Sequence, residues 1–202
     1  MKKIILSTLF VLAFGFTYAQ KAEFGMKGGL NVANQNFDGD GAPSTSSLIG
    51  FHIGGFVDVK ISDKFSIQPE LLYSTQGTEL NWLNDGVTIN SFKLAYINIP
   101  VMAKYYASEK FSLEAGPQIG FLTSAKVNGT SGGTTVDVDA KRFFNSTDFG
   151  INFGAGYDFT KKISAGIRYN LGLFNIGSNE FVSDGDKITN SVFSISVGYK
   201  LK

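Results

Sequence analysis

Apolar and polar residues alternate strictly over long stretches of the chain. In the segment 162–174, every second residue from Ile163 to Leu173 is apolar, and the residues between them are small, polar or charged. The segments 110–124 and 190–201 repeat this pattern. A period of two predicts β-strands with one apolar and one polar face. The pattern therefore indicates an all-β protein.

The alternation predicts eight strands. Their approximate bounds are 22–33, 47–60, 64–76, 91–106, 110–124, 146–160, 162–174 and 190–201. Most are longer than the roughly five or six residues that are typical of soluble sheets. They suit tilted strands that cross a membrane, which need about 9–11 residues. We therefore predict an eight-stranded antiparallel up-and-down transmembrane β-barrel.

Short and long connections alternate between these strands. The short turns are 61–63, 107–109 and 160–161. The long loops, rich in Gly, Ser, Thr, Asn and Asp, are 34–46, 77–90, 125–145 and 175–189. This layout is typical of bacterial outer-membrane barrels, with short periplasmic turns and longer outer loops. We expect the barrel to lie in the outer membrane with both termini in the periplasm.

The composition of the two strand faces predicts which one meets lipid. The polar face carries Gly, Ser, Asn, Gln and charged residues, which suit a narrow polar interior without apolar side chains. The bulky face then contacts lipid, with aromatic girdles near the strand ends. The inner girdle would contain Phe65, Tyr105, Phe111, Tyr157, Phe159 and Tyr199, and the outer one Phe51, Tyr73, Phe121 and Phe149. The alternative is a soluble lipocalin-like barrel, which has the same eight strands.

The N-terminus has the pattern of a secretory signal peptide. Lys2 and Lys3 precede a mostly apolar run, and Thr17-Tyr18-Ala19 supplies small residues at a cleavage site. The run is too short for a membrane-spanning helix, which needs about 20 residues. We predict a cleaved signal peptide at 1–19 and an outer-membrane barrel domain at 20–202.

Composition excludes several classes of protein. The chain has no Cys, which excludes a disulfide scaffold and a Cys-ligated metal site. Its formal net charge of +1 gives no reason to expect a nucleic-acid partner. No motif indicates a cofactor or a metal, and we expect neither.

Six stretches of the mature chain resemble the outer-membrane β-barrel family of Bacteroidetes that includes PorT, often called the porin family. They are 69–73 (PELLY), 96–100 (YINIP), 103–106 (AKYY), 114–121 (EAGPQIGF), 148–157 (DFGINFGAGY) and 168–172 (RYNLG). The resemblance implies an eight-stranded barrel of the OmpA and OmpX type, and it implies no single activity. As a barrel of the outer membrane, the protein is expected to contact outer-membrane lipid and lipopolysaccharide, and to contact the barrel-assembly machinery during biogenesis. The chain departs from the usual aromatic C-terminus, because its outward-facing positions end at Leu201, which Lys202 follows, and Tyr199 would have to supply the aromatic signal.

Charged residues of both signs fall on the predicted lumen face. They are Lys27, Lys60, Lys104, Arg168 and Lys200 with Glu23, Asp58, Glu70, Glu114 and Asp158. A hairpin that pairs residue 105 with residue 113 sets Lys104 opposite Glu114, within cross-strand reach. Glu70 and Arg168 should lie at a similar depth. We predict that Glu70, Lys104, Glu114 and Arg168 form an interior ion-pair network, because eight strands leave room only for side chains.

Two other groups of residues are weaker candidates. His52, the only His, faces the lumen by phase and could act with a Ser and an acid in a lipid-modifying barrel. No local motif supports that role, so we interpret it as a polar lining residue. Asp38, Asp40, Asp184 and Asp186 in the loops could bind divalent ions at an acidic outer rim. Asp-Gly pairs are also common turn formers.

These features favour a structural or interaction barrel whose membrane part is an anchor and whose loops or turns meet an unknown protein partner. It would not be an enzyme. A narrow channel for small solutes or ions is the alternative, and a lipid-modifying enzyme is the third hypothesis.

Overall fold

Nine β-strands make up most of the computed structural model, which describes residues 22–39, 43–84, 87–131, 133–180 and 186–201. The strands are β1 (Ala22–Asp38), β2 (Thr45–Lys60), β3 (Phe65–Asn84), β4 (Val87–Tyr106), β5 (Phe111–Ser131), β6 (Thr134–Asp139), β7 (Thr147–Asp158), β8 (Ile163–Gly172) and β9 (Lys187–Lys200). A short 3-10 helix, Lys141–Phe143, follows β6. Within these ranges no helix is long and apolar enough to cross a bilayer. The predicted signal peptide lies outside the described residues.

Eight strands close into a ring. The order is β1, β2, β3, β4, β5, β7, β8 and β9, and β9 pairs back with β1, every pairing being antiparallel. The prediction of an eight-stranded up-and-down barrel is therefore confirmed. Among the described strands, β6 pairs with β5 alone and lies outside the ring.

Strand residues extend into all four predicted long loops, and they extend furthest into 77–90 and 125–145. The β3–β4 ladder continues to Asn84 and Val87, and β5 and β6 pair from Lys126 and Asp139 to Ser131 and Thr134. Loop-like composition misled the prediction, because a hairpin needs special residues only where the chain reverses. Gly133, with a φ of 82°, lies at one such reversal. Residues 79–84, 87–93, 126–131 and 134–139 thus form a four-stranded projecting sheet.

The apolar face of the strands points outward, as the alternation predicts. Ile167 on β8 and Ile195 on β9 lie directly opposite each other, and about half of each side chain is exposed. Aromatic pairs lie near the short turns: the Phe65 and Tyr105 ring centroids are 5.1 Å apart. An apolar outer surface is unfavourable in water and favourable in hydrocarbon. The ring therefore presents a lipid-facing surface.

The interior differs from the prediction at the end that carries the projecting sheet. Instead of polar residues only, that end holds a buried apolar core, here called the apolar cap. Its buried members are Leu80, Phe92, Leu94, Tyr96, Leu122, Ala125, Ala140, Phe144, Ile176 and Ile188. The segments 140–146 and 173–178 contribute Ala140, Phe144 and Ile176 to it, and the Ile176 amide donates to the Ile188 carbonyl at 2.8 Å. Other members are on the strands: Phe92, Leu94 and Tyr96 occupy alternate, inward-facing positions of β4, where a polar lining was expected.

Substituting Ile167 by Arg should destabilise the barrel strongly, because it places a charge near the middle of the lipid-facing band. The expected loss is about 2–4 kcal/mol in the free energy of unfolding, measured by urea titration in lipid vesicles. Ile163→Arg is the matched control. It lies on the same face of β8 near the short turn, where the loss should be about 0–1 kcal/mol. Equal losses at both positions would contradict the assignment of the lipid-facing band.

Candidate functional site

Arg168 points into the lumen and joins two carboxylates that come from two other strands, Glu70 on β3 and Glu114 on β5. Its Nη1 and Nη2 donate to Glu70 Oε2 and Oε1, both at 2.9 Å. Its Nε and Nη2 donate to Glu114 Oε1 at 2.9 and 2.8 Å. The planar guanidinium can make both contacts because its donors are arranged as a rigid fork. Arg168 on β8 therefore ties β3 to β5 through the interior.

Glu70 accepts two further hydrogen bonds. Lys27 Nζ on β1 donates to Oε1 at 2.8 Å, and Gln68 Nε2 donates to the same oxygen at 2.7 Å. Both oxygens of this buried carboxylate thus have donors. Two acids, Glu70 and Glu114, face two bases, Lys27 and Arg168, so that this layer is balanced in charge. Balance matters because an unpaired charge inside a protein is strongly destabilising.

Lys104 is connected differently from the prediction. The ladder sets Lys104 opposite Glu114, yet its ammonium lies 3.7 Å from Asp58 Oδ2 and donates to Gln68 Oε1 at 3.2 Å. Glu114 instead accepts hydrogen bonds from Arg168, because a planar guanidinium presents two donors to one carboxylate and an ammonium does so less well. Lys104 therefore joins Glu70 through Gln68, and its direct ionic partner is Asp58.

A second ionic group lies toward the short turns. Lys200 Nζ is 3.0 Å from Glu23 Oε2 and 3.8 Å from Asp158 Oδ2. These side chains come from the two ends of the chain and from the end of β7, and they were predicted to face the lumen. Ionic contacts thus continue through the lumen from the central layer to this end.

Three residues extend the network beyond the predicted four. Lys27 and Asp58 were recognised as lumen charges, but alternation alone did not give their depth. Gln68 was missed entirely, although it lies two residues before Glu70 and hence on the same face of β3. Depth in a barrel depends on the tilt and stagger of the strands.

His52 lies inside the lumen and is buried. Its Nδ1 is 2.8 Å from Asn31 Oδ1, and its Nε2 is 2.9 Å from Ser196 Oγ. Both ring nitrogens are therefore satisfied by neutral groups from β1 and β9. The lipid-modifying hypothesis needs this imidazole beside an acid at the outer rim, whereas the structure sets it in a polar interior layer.

Two small cavities flank the Arg168 layer. Each has a volume of about 30 Å³. Asn, Gln and Ser side chains line the one near His52, and Lys27, Lys104 and Lys200 help to line the other. A cavity above about 10–15 Å³ can hold a water molecule. These spaces suit a few waters, and Arg168 lines both of them.

The predicted acidic rim is described only in part. Asp38 lies opposite Lys187 in the β1–β9 ladder, and the Asp186 carboxylate lies over Gly39. Asp40 and Asp184 are outside the described residues. Within the described ranges, no cluster of three His, Cys, Asp or Glu residues could hold a metal ion.

Charged groups also lie together on the projecting sheet. Asn128 Nδ2 donates to Asp137 Oδ1 at 2.9 Å, and this hydrogen bond, with Lys93 and Lys126 nearby, lowers the pKa of the Asp137 carboxyl. Asp137 is therefore negatively charged at neutral pH. Its oxygen lies 3.8 Å from Lys93 Nζ.

Replacing Arg168 by Met should leave two buried carboxylates underpaired and lower the free energy of unfolding by about 3–5 kcal/mol. Water in the cavities should reduce this loss. Arg168 and Glu114 share hydrogen bonds. The double variant Arg168→Met with Glu114→Gln should therefore lose less free energy of unfolding than the two single variants together, by about 0.5–3 kcal/mol. Urea titration in detergent provides all the values. The matched cycle of Lys104→Met with Glu114→Gln should show a smaller coupling, and a larger one would contradict the observed pairing.

Comparison with known proteins agrees with this architecture. No curated protein sequence matches significantly. The barrel is similar to Ail, the attachment invasion locus protein of Yersinia pestis, with a TM-score of 0.54, 12% identity and coverage of 90% of this chain and 100% of Ail. For an Ail complex with the heparin analogue sucrose octasulfate, the TM-score is 0.51 and the identity is 13%, with coverage of 90% of this chain and 100% of that chain. For Neisserial surface protein A, the TM-score is 0.53 and the identity is 16%, with coverage of 90% of this chain and 100% of that chain.

At these identities, the likeness shows a shared barrel fold. Residues 18–178 match the family described as outer membrane protein beta-barrel domain. This match spans more than half of the chain, and it agrees with the closed ring and its lipid-facing surface. The chain therefore belongs to the outer membrane protein beta-barrel domain family.

Proposed function

We propose that this protein is a non-conducting outer-membrane anchor that presents its projecting sheet to a protein partner. The observation that carries the proposal is the filled lumen, in which Arg168, Glu70 and Glu114 bridge the ring. A barrel closed in this way offers no interior path for a solute. The function of the protein would then depend on its outer surface and on the projecting sheet.

The apolar cap supports the same conclusion. Tyr96 and Ile176 are fully buried in it, and it continues from the ring into the base of the projecting sheet, to which Leu80 and Phe92 belong. An ion that passed these apolar side chains would lose part of its hydration, which is unfavourable. The cap and the central ionic layer thus act as two barriers in series, which weighs against a narrow channel. The placement of His52 between Asn31 and Ser196 weighs against a lipid-modifying enzyme.

The projecting sheet offers a surface suited to protein contact. β6 is its outermost strand, and Val136 and Val138 are 51% and 56% exposed. An edge strand with exposed β-branched residues can pair with an extended segment of another chain. The partner we propose is a protein that adds such a segment beside β6. Export by the predicted signal peptide at 1–19, followed by membrane insertion by the assembly machinery, would place this edge at the cell surface.

Purified protein should give no stable current steps in a planar lipid bilayer, because the ionic layer and the apolar cap close the lumen. The measurement is single-channel recording in symmetric salt, with a known open porin as the positive control. Reproducible steps of constant amplitude would contradict the proposal and favour the channel.

A photo-reactive amino acid at Val136 or Val138 should give a protein adduct on intact cells of the source organism. Lysines at strand edges block pairing with other strands, so a variant with both valines replaced by Lys should lose binding of the partner identified in that adduct. Replacing both by Thr is the matched control, since Thr is β-branched and uncharged and should keep binding. The absence of any adduct, or equal binding by the Lys and Thr variants, would contradict strand addition at β6.

A further inference from the structure

A groove crosses the outer surface of the barrel where the ring meets the projecting sheet. It has a volume of about 510 Å³ and is open to the side of the barrel. Apolar side chains form its wall on the lipid-facing side, and two lysines lie where the projecting sheet begins. The residues on which the argument depends are Leu30, Ile49, Phe51, Tyr73, Lys93 and Lys126.

Local irregularities of the wall accompany this groove. Between the pairs Ser47–Thr78 and His52–Ser74, β2 has one residue more than β3, which makes a bulge. The Phe51 amide donates to Thr75 Oγ1 at 2.9 Å in this interval. Bulges bend a strand and change its twist, and they are frequent near functional sites.

A second bulge lies on the neighbouring strands. The β4–β5 ladder shifts between Ala95 and Tyr96, where Thr123 is the additional residue, and Thr123 Oγ1 donates to the Ala95 carbonyl at 2.9 Å. Ala95 also lines the groove. The groove therefore lies beside two interruptions of the regular barrel wall, one on each side of the β3–β4 pair.

The two lysines form an unusual pair. Lys93 and Lys126 lie directly opposite each other on β4 and β5, and both are exposed. Like charges in this position repel each other and destabilise a sheet. On β6, Asp137 lies 3.8 Å from Lys93, and Asp139 lies opposite Lys126. The Lys93–Asp137 contact is long and solvent-exposed, and such pairs contribute little to stability. Both ammonium groups therefore remain accessible to a further anion.

The apolar wall of the groove belongs to the lipid-facing surface. Ile49 is 75% exposed, and the Phe51 and Tyr73 ring centroids are 6.0 Å apart on adjacent strands. Hydrocarbon chains already cover such a surface in a bilayer. Two ammonium groups at the point where the barrel leaves the hydrocarbon attract an anionic headgroup, and each basic residue there contributes about 1 kcal/mol.

We propose that this groove binds a phosphorylated, acylated lipid of the outer leaflet. The phosphate lies between Lys93 and Lys126, and an acyl chain follows Ile49, Phe51 and Tyr73. The combination selects this occupant, because a free phosphate makes no use of the apolar wall and a neutral lipid makes no use of the lysines. The site goes beyond the proposed anchoring function, and it does not depend on closure of the lumen or on pairing at β6.

Native mass spectrometry of the full mature chain in detergent tests the proposal, with diphosphorylated lipid A as the probe. We expect one lipid to bind more tightly than any others. Removing its phosphates should weaken this binding, and Lys93→Gln or Lys126→Gln should each weaken it about fivefold. Lys141→Gln is the matched control, since this exposed lysine lies at the same end of the barrel outside the groove and should have no effect.

The apolar wall has its own test. Ile49→Ser should weaken lipid A binding, whereas Val197→Ser, at an exposed lipid-facing position on β9, should not. Heat-dependent migration in a denaturing gel verifies that each variant is folded. Equal binding of dephosphorylated lipid A, or unchanged binding by both lysine variants, would overturn the proposal. Displacement of lipid A by millimolar inorganic phosphate, or a protein adduct instead of a lipid adduct from a photo-reactive residue at position 49, would overturn it as well.

Discussion

One guanidinium holds the interior of this barrel together. Arg168 contacts Glu70 and Glu114 across the lumen, and Lys27 supplies the second positive charge. Each of these charges is unfavourable inside the barrel by itself, and each is stabilised because the others neutralise it. The layer therefore works as a unit, and strands that are distant in sequence are tied together by it. Paired side chains therefore occupy the lumen at this depth.

The rest of the molecule complements this layer. Phe56 fills the lumen where Gly25 lies opposite it on β1, and any side chain at Gly25 would collide with the ring. At the other end the apolar cap excludes water. The barrel thus has two outward-facing features, the β6 edge and the groove that Lys93 and Lys126 border. Both arise where the regular ring ends and the projecting sheet begins.

Alternation along the chain predicted the eight ring strands and the lipid-facing surface, because period two is a property of each strand by itself. It also placed Lys104 opposite Glu114. Alternation did not predict the ionic partners, because Arg168 pairs with Glu114 and Lys104 pairs with Asp58. That choice depends on strand stagger and side-chain geometry. β6 was missed although 134–139 alternates, because Thr and Asp gave the segment the composition of a loop.

Hydrogen exchange at the Arg168 side chain tests the central claim most directly. Nitrogen-15 NMR in lipid nanodiscs can follow the Nε–H signals of the two arginines, Arg142 and Arg168. Arg142 is exposed and serves as the internal reference. A closed, ion-paired lumen predicts that the Arg168 signal is distinct and exchanges with solvent far more slowly than that of Arg142, and that Glu114→Gln accelerates this exchange. Equally fast exchange at both arginines would contradict the account, because it would mean that water reaches the central layer freely.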